Sequence, residues 1–458
     1  MKKQILLIIV LFCMCSLSFS QTAPGILWTK TYGGTGTEVG YSVQQTSDGG
    51  YIIGGYTNSY GAGGNDVYLI KTDANGDTTW TMTYGGSQSD KGYSVKQTAD
   101  EGYIIAGETS SFGAGYEDVY LIKTDANGDT VWTKTIGGTG TEICYSVDEL
   151  TEGGYIIAGT TAPSFFPKDY LIKTDTNGEV IWTKTYGEGM MSWWKEVQET
   201  DDGAYITAGW MMSPNDVYLA KTDSDGSTIW TQTINLGDDQ YGNAVQQTSD
   251  GGYIIAGETW PNDTQKWDFC LIKRDANGDA EWETTYGGIE WDKAYSVKQV
   301  LWDEGYIITG ETESFGAGNY DIYVVRVDSL GDTLWTQTYG GTSADAAYSV
   351  QQTEDSGYII CGKSGSDVYL IRIGPEFKPI PPVVTIEITG NDAVLTWDPV
   401  ETTTIGNPIT VDHYNIYYGD TPDPPFSYLG ETADTTYTHS GGGAVNNKKF
   451  YQVTAVVE

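Results

Sequence analysis

The sequence predicts an all-β protein in which a seven-bladed β-propeller precedes a small β-sandwich. The first observation is an internal repeat: the segment DVYLIKTDANGDTTW (residues 66–80) recurs five times with small changes, and DVYLIRI (residues 367–373) begins a further copy. Repeats of about 50 residues indicate a propeller or a solenoid. The repeat is marked by seven tryptophans, Trp28, Trp80, Trp132, Trp182, Trp230, Trp282 and Trp335.

Each repeat contains four β-like runs, which is the second observation. In the first full repeat they are residues 41–46, 51–57, 66–73 and 78–84. Asn-Gly and Asp-Gly pairs between alternating apolar runs are strong hairpin signals, and no segment has helical periodicity. Four strands per unit and seven units indicate a propeller with four-stranded blades.

The third observation is the phase of the repeat. The chain opens on a tryptophan strand, residues 26–32, and its last repeat stops after the third strand, residues 367–373. Blade seven therefore lacks an outer strand, and one strand is spare at the start. We predict that residues 26–32 complete blade seven, which closes the ring and removes open sheet edges.

The repeat pattern, YGG…SVQQT.DGGYIIAG…DVYLIKTD.NGD..W, resembles known propeller repeats. It is similar to the blades of pyrroloquinoline-quinone-type propellers and to tandem repeats of secreted bacterial propeller proteins. The resemblance covers residues 26–373 and implies the fold. It implies little about function, because one such fold serves many functions.

A second domain is predicted after the repeats. Residues 374–382 (GPEFKPIPP) form a Pro-rich linker. Residues 383–458 contain evenly spaced short β-like runs, which indicate a small sandwich. With Trp397 early and Tyr451 late, this segment resembles a fibronectin type III module, although that family has a further strand after the position of Glu458.

The first 20 residues carry Lys2 and Lys3, an apolar run and Ser18-Phe19-Ser20, which together predict a secretory signal peptide. The apolar run is short for a membrane span. We therefore expect a secreted or cell-surface protein. Three cysteines follow the signal peptide in unrelated repeat positions, and we expect buried free thiols; they are Cys144, Cys270 and Cys361.

The composition limits the partners. The formal net charge is −38 and the isoelectric point is near 4.1. Such a chain repels nucleic acid and anionic membranes, so we expect neither as a partner. We expect a monomer that binds an extracellular glycan or a surface protein.

Histidine chemistry is excluded from the propeller, because both histidines, His413 and His439, lie in the C-terminal segment. A Ser-His-Asp triad, a His-ligated zinc and a histidine base are therefore ruled out there. No cofactor is expected. The chemistry that remains possible is that of paired carboxylates, as in glycosidases.

Most carboxylates of the propeller repeat, which favours a structural role, since a catalyst is needed once. Seven aspartates open the third strand of every blade and are interpreted as local hydrogen-bond partners: Asp66, Asp118, Asp169, Asp216, Asp268, Asp321 and Asp367. Turns such as residues 73–77 (DANGD) admit a Ca²⁺ site, but a four-residue hairpin offers few oxygen ligands. The structural interpretation is preferred, and no metal is predicted.

The residues that break the repeat are the informative ones. Extra tryptophans fall on loops of one propeller face, and the tyrosine that recurs on the innermost strand (Tyr41 in the first repeat) is replaced in blades four and five. Clustered flat rings suit sugar stacking or protein anchoring. The predicted ligand-binding residues are Trp193, Trp194, Lys195, Trp210, Asn243, Trp260, Trp267 and Trp291.

These features favour a non-enzymatic binding or adhesion protein that uses the aromatic face of blades three to six. One alternative is a glycan hydrolase or lyase with two carboxylates about 5–10 Å apart, for which the candidates are Asp239 and Asp292. Another is a structural surface or matrix component without a discrete ligand. In that case the aromatic side chains would be buried against each other as a lid.

Overall fold

Seven four-stranded antiparallel sheets account for residues 26–373 in the computed structural model. The structure describes residues 23–162, 166–187, 191–212, 215–237, 239–260, 266–376, 384–389, 392–397, 413–419, 427–434, 436–439 and 450–456. The chain divides into two compact units, of which the first is Ala23–Pro375 and the second includes Glu376–Glu458. The predicted signal peptide and residues 377–382 of the predicted linker lie outside the described residues.

Each sheet is one blade, and its strands follow one another from the inside outwards. Blade 1 contains β2 (Glu38–Gln45), β3 (Tyr51–Thr57), β4 (Asp66–Thr72) and β5 (Thr78–Tyr84). Blade 2 contains β6 (Asp90–Gln97), β7 (Tyr103–Thr109), β8 (Asp118–Thr124) and β9 (Thr130–Ile136). Blade 3 contains β10 (Thr141–Glu149), β11 (Tyr155–Ala162), β12 (Lys168–Thr174) and β13 (Val180–Tyr186). Blade 4 contains β14 (Ser192–Glu199), β15 (Tyr205–Met211), β16 (Asp216–Thr222) and β17 (Thr228–Ile234).

The remaining blades repeat this order, and the last one is completed from the start of the chain. Blade 5 contains β18 (Gln240–Gln247), β19 (Tyr253–Thr259), β20 (Asp268–Arg274) and β21 (Ala280–Tyr286). Blade 6 contains β22 (Asp292–Gln299), β23 (Tyr306–Thr312), β24 (Asp321–Val327) and β25 (Thr333–Tyr339). Blade 7 contains β26 (Asp345–Gln352), β27 (Tyr358–Ser364), β28 (Asp367–Ile373) and β1 (Ile26–Tyr32).

The predicted ring closure is confirmed. β1 pairs antiparallel with β28, with Ile26 opposite Ile373 and Tyr32 opposite Val368. A strand from the start of the chain therefore occupies the outer edge of blade 7. Arg372 of β28 links blade 7 to blade 1, because its Nε donates a hydrogen bond to Tyr51 Oη of blade 1, 3.0 Å away.

The repeat tryptophan packs each blade against its neighbour. Trp80 on the outer strand of blade 1 lies edge-on to Tyr103 on β7 of blade 2, with ring centroids 5.9 Å apart. The same pair recurs between the other blades, for example at Trp230 and Tyr253. The second and third strands of each blade are almost entirely buried between sheets, so the core consists of the interfaces between blades. This explains why both aromatic positions recur in every repeat.

A buried cation ties the third strand of each blade to the turn between its first two strands. Lys71 Nζ lies 2.8 Å from the carboxylate of Asp48, and equivalent ion pairs occur in all the other blades. These are Lys123–Asp100, Lys173–Glu152, Lys221–Asp202, Lys273–Asp250, Arg326–Asp303 and Arg372–Asp355. Although partial desolvation favours the neutral acid, hydrogen bonds from Lys71 and Thr46 lower the pKa of Asp48 to about 2.

The C-terminal unit contains two three-stranded antiparallel sheets. One has the order β29 (Val384–Thr389), β30 (Asp392–Trp397) and β33 (Thr436–His439). The other has the order β32 (Ser427–Thr432), β31 (His413–Gly419) and β34 (Phe450–Val456). Trp397 is buried at the end of β30. The resemblance to a fibronectin type III module stays a prediction.

All the regular structure among the described residues is β-structure. That part of the chain accordingly contains no helix that could cross a membrane. The three cysteines of the propeller are free and buried, and burial raises the pKa of the Cys144, Cys270 and Cys361 thiols.

Candidate functional site: the channel mouth at blades 4 to 6

The innermost strands of the seven blades line a central channel, and a β-bulge in each strand turns one residue into it. In five blades this residue is tyrosine, and the rings contact one another in the order Tyr145, Tyr93, Tyr41, Tyr348, Tyr295. The centroids of successive rings are between 5.0 Å (Tyr41–Tyr348) and 5.6 Å (Tyr93–Tyr145) apart. Blades 4 and 5 leave a gap in this layer of tyrosines.

Lys195 and Asn243 fill the gap, as the two irregular positions of the sequence indicated. The ammonium of Lys195 lies 3.7 Å from the centroid of the Tyr145 ring. Desolvation by burial lowers the pKa of Lys195 to about 8, partly offset by the charge of Glu258. Asn243 Nδ2 donates a hydrogen bond to the carbonyl oxygen of Ala294 in blade 6, 2.9 Å away.

A group of acidic side chains that was not predicted from the sequence lies next to the tyrosine layer. Glu108, Glu258 and Glu311 occupy one repeat position, the residue after YIIAG or YIITG, on the second strands of blades 2, 5 and 6. In the pairing of β18 with β19, Glu258 lies opposite Tyr241, and in the pairing of β22 with β23, Glu311 lies opposite Lys293. The signal was present in the sequence, because this position varies from blade to blade while its neighbours repeat.

Glu258 and Glu311 have strongly perturbed surroundings. Burial raises the pKa of Glu258 to about 7, and the charge of Glu311 adds to the shift, while Lys293 and Lys195 oppose it. Glu311 accepts a hydrogen bond of 2.9 Å from the hydroxyl of Tyr295, and its carboxylate lies 3.9 Å from Lys293 Nζ. A carboxyl group with a raised pKa, as Glu258 has, is typical of functional sites.

Six aromatic side chains form a continuous line of ring contacts through blades 4 to 6, which we name the aromatic arc. In order they are Trp193, Trp210, Tyr241, Trp267, Trp260 and Trp291. The closest pair, Trp193 and Trp210, is stacked with centroids 4.0 Å apart. Every ring of the arc is half-buried, so each keeps an exposed surface. The ammonium groups of Lys266 and Lys293 lie 5.7 Å and 5.4 Å from the centroid of the Trp291 ring.

The arc begins beside the channel. Trp193 is two residues from Lys195 on β14, and Tyr241 faces Glu258 across the β18–β19 pair. The predicted tryptophans Trp193, Trp210, Trp260, Trp267 and Trp291 are therefore brought together. The arc also includes Tyr241, which occupies the same repeat position as Trp193 and which the sequence analysis overlooked.

Trp194 lies elsewhere, and its predicted place on the binding face is corrected. Its side chain is 0% exposed and packs in the core between blades 3 and 4. There it contacts Tyr186, at 4.6 Å between ring centroids, and stacks with Tyr218. Side chains alternate along a strand, so Trp193 and Trp194 point to different surroundings.

Asp292, one of the two carboxylates predicted as a catalytic pair, has a structural role. Asp292 is 0% exposed, and its Oδ2 accepts hydrogen bonds from the Gly288 amide and the Ser314 hydroxyl. Other blades use Glu38, Asp90, Glu142 and Asp345 in the same way. Asp292 is thus a structural cap of the loop between blades. Asp239, the other member of that pair, is exposed.

Several of the repeated acids, among them Asp66 and Asp73, have local partners. Asp66 Oδ2 accepts a hydrogen bond from the Ala62 amide, and Asp73 Oδ1 accepts hydrogen bonds from the amides of Asn75 and Asp77. These contacts agree with the structural interpretation of both positions. Within the described part of the chain, no three His, Cys, Asp or Glu side chains are grouped as metal ligands.

On the other side of the tyrosine layer the channel widens into a polar cavity of about 320 Å³. Its wall includes Lys195 and Asn243 as well as two ion pairs, Lys298 with Glu196 at 3.4 Å and Lys96 with Asp148 at 4.0 Å. Burial raises the pKa of Asp148, against the opposing charge of Lys96.

Comparisons with known proteins identify the fold. No protein-family model matches the sequence, and no curated protein matches it. Among solved structures, a chain from the outer coat vertex of COPII on membranes is 11% identical with a TM-score of 0.50, over 82% of this chain and 97% of that chain. The Pan2 WD40 domain of Neurospora crassa is 10% identical with a TM-score of 0.48, over 75% and 97%. A puromycin hydrolase is 13% identical with a TM-score of 0.48, over 80% and 59%.

At these identities the likeness shows the fold alone. The protein is a β-propeller.

Proposed function

We propose that the protein is a secreted, non-enzymatic binding or adhesion protein whose aromatic arc binds a carbohydrate. The observation that carries the proposal is the unbroken line of six half-buried rings beside the channel. Flat rings offer a large contact area at low entropic cost, and exposed aromatic patches usually mark interaction sites. The C-terminal unit would act as a spacer or second contact.

Partial exposure favours this function over a purely structural one. A lid of packed aromatics would bury the rings, as Trp194 is buried at 0% exposure. The arc residues instead keep accessible surface, and polar groups that can hydrogen-bond hydroxyls lie beside them. Those nearest the channel are Lys195, Asn243 and Glu258.

The test is a glycan-array and polysaccharide screen with the full-length mature protein, beside a Trp193→Ala variant. Tyr116→Ala is the matched control, because Tyr116 is 78% exposed in the loop between β7 and β8 and lies outside the arc. We expect binding that Trp193→Ala removes and Tyr116→Ala leaves unchanged. Absence of glycan binding would redirect the proposal to a protein partner.

A carboxylate-based hydrolase or lyase remains the second candidate, with Glu258 and Glu311 in place of Asp239 and Asp292. The raised pKa of Glu258, about 7, suits a general acid at neutral pH. Product analysis of any glycan that binds, with wild type and Glu258→Gln, tests this candidate. Turnover by the wild type that Glu258→Gln abolishes would establish catalysis.

A further inference from the structure

Lys195 is a cation without a counter-ion at the inner end of the arc. Its ammonium makes no hydrogen bond and no ion pair with any residue that the structure describes, and it lies over the face of the Tyr145 ring. The other lysines near the arc are paired: Lys293 with Glu311 and Lys266 with Glu290, at 3.9 Å and 2.9 Å. Lys195 is therefore available to a ligand.

Its surroundings make an anionic ligand group favourable. A partly desolvated ammonium gains more from a carboxylate than an exposed one does, because the local dielectric is lower. The acid whose charge acts on Lys195 is Glu258, which is largely neutral below pH 7 because burial raises its pKa to about 7. In that form it can donate a hydrogen bond to the same ligand group.

Lys195 lies close to the first ring of the arc along strand β14. Trp193 precedes it by two residues on β14, a rise of roughly 7 Å along a strand. A glycan that stacks on Trp193 and Trp210 thus extends its next unit towards Lys195 and Asn243. In five of the seven blades the position of Lys195 is a tyrosine, so the charge is not required to form the blade.

We infer that the ligand is an acidic glycan, and that Lys195 binds the carboxylate of a uronic acid unit next to the units held by the aromatic arc. This inference rests on the proposed carbohydrate function and names the class of sugar. The net charge of −38 opposes it only at long range, because charges beyond about 8 Å are screened at physiological ionic strength.

The experiment compares a trigalacturonide with its carboxyl-reduced, neutral counterpart by calorimetry, using the full-length mature protein. The key variant is Lys195→Tyr, which introduces the residue of the other blades and should fold. Lys184→Gln, on the outer strand of blade 3, is the matched control. We expect the acidic form to bind at least tenfold more tightly than the neutral form, and Lys195→Tyr to abolish that preference.

The pH dependence gives a second readout. The groups that face Lys195 from neighbouring strands are Tyr145 on β10 and Glu258 on β19; Lys293 and Glu311 act on Glu258. Loss of the ammonium above pH 8 and ionisation of Glu258 above pH 7 both weaken carboxylate binding. Affinity for the acidic form should fall between pH 6 and pH 9, while affinity for the neutral form should not.

Each other outcome overturns the inference. Equal binding of the two forms, or an acidic preference that survives in Lys195→Tyr, refutes it and leaves the proposed function intact. If neither form binds but the glycan screen finds another, neutral ligand, the inference alone fails. If the screen finds no glycan at all, the proposed function fails with it.

Discussion

Trp193 and Trp210 stack face to face, with ring centroids 4.0 Å apart and 16° between their planes. They are direct partners in the β14–β15 ladder, so their side chains emerge on the same side of the sheet. In the other blades this pair of positions holds combinations such as Val39 with Tyr56 or Lys91 with Glu108. Blade 4 alone has two indole rings there, and they begin the arc.

Removing one ring of this pair should weaken ligand binding without unfolding the blade. We expect Trp210→Ala to weaken glycan binding at least tenfold, because truncating an aromatic residue at the centre of a binding site costs about 2 kcal/mol or more. Calorimetric titration checks the affinity, and thermal unfolding checks the fold. An affinity equal to that of Tyr116→Ala would remove the arc from the site.

Trp194→Ala should lose stability, whereas Trp193→Ala should lose ligand binding. Trp194 is fully buried between blades 3 and 4, and truncating a buried tryptophan costs about 3–5 kcal/mol. Urea unfolding of both variants measures the difference. The large loss is expected in Trp194→Ala, and a similar loss in Trp193→Ala would mean that the arc also supports the core.

Glu258→Gln should change the pH dependence of stability. Burial raises the pKa of Glu258 from 4.5 to about 7, so its stabilising effect is fully present below pH 4.5 and is lost as the pH rises through 7. Wild type and variant should match near pH 4.5. Above pH 7 the variant should be the more stable, by up to about 3 kcal/mol. Urea midpoints at pH 4.5 and 8 measure this, and an unchanged difference would show that Glu258 titrates normally.

The ion pairs between strand and turn predict a loss of stability in acid. Hydrogen bonds from lysine lower the pKa of Asp48 and Asp250 to about 2, against a desolvation effect that raises it. Their contribution is present above pH 3.8 and is lost as the pH falls through 2. Each aspartate is largely exposed, so a single pair contributes little.

Lys71→Met tests one of these pairs. The variant should be less stable than wild type at pH 7, and the difference should shrink as the pH falls through 2, because Asp48 then becomes protonated in the wild type as well. Lys30→Met serves as the control, because Lys30 pairs with Asp77 at the exposed edge of blade 7. A difference that is constant with pH would assign the effect of Lys71 to packing of its side chain.

The fold could be predicted from the sequence because the pattern of one blade recurs seven times in it. The Trp80–Tyr103 contact recurs between blades, and the phase of the repeat was enough to place β1 on blade 7. Because each signal occurs in seven copies, an irregular residue in one copy does not hide the pattern. Errors at one blade therefore do not change the predicted architecture.

The site could be predicted only in part, because it depends on which way single side chains point. Trp193 and Trp194 are adjacent and chemically identical, yet one joins the arc and the other enters the core. Asp292 looked like an irregular acid, but it occupies a repeated capping position. Glu258 was missed because its surroundings, rather than its residue type, raise its pKa.

The pairing of β1 with β28 has a consequence for how the chain reaches its native state. Ile26 and Ile373 meet across nearly the whole propeller sequence, so β1, the first of the strands to be synthesised, must wait for the last strand of blade 7. Contacts of such large sequence separation form late and slowly. The sequence of β1 (ILWTKTY) is a near copy of that of β13 (VIWTKTY). Until β28 is in place, β1 can therefore pair wrongly with β12 of blade 3 if β13 is slow to dock there. What protects the correct pairing is timing, since each internal hairpin closes locally before the two ends of the ring can meet.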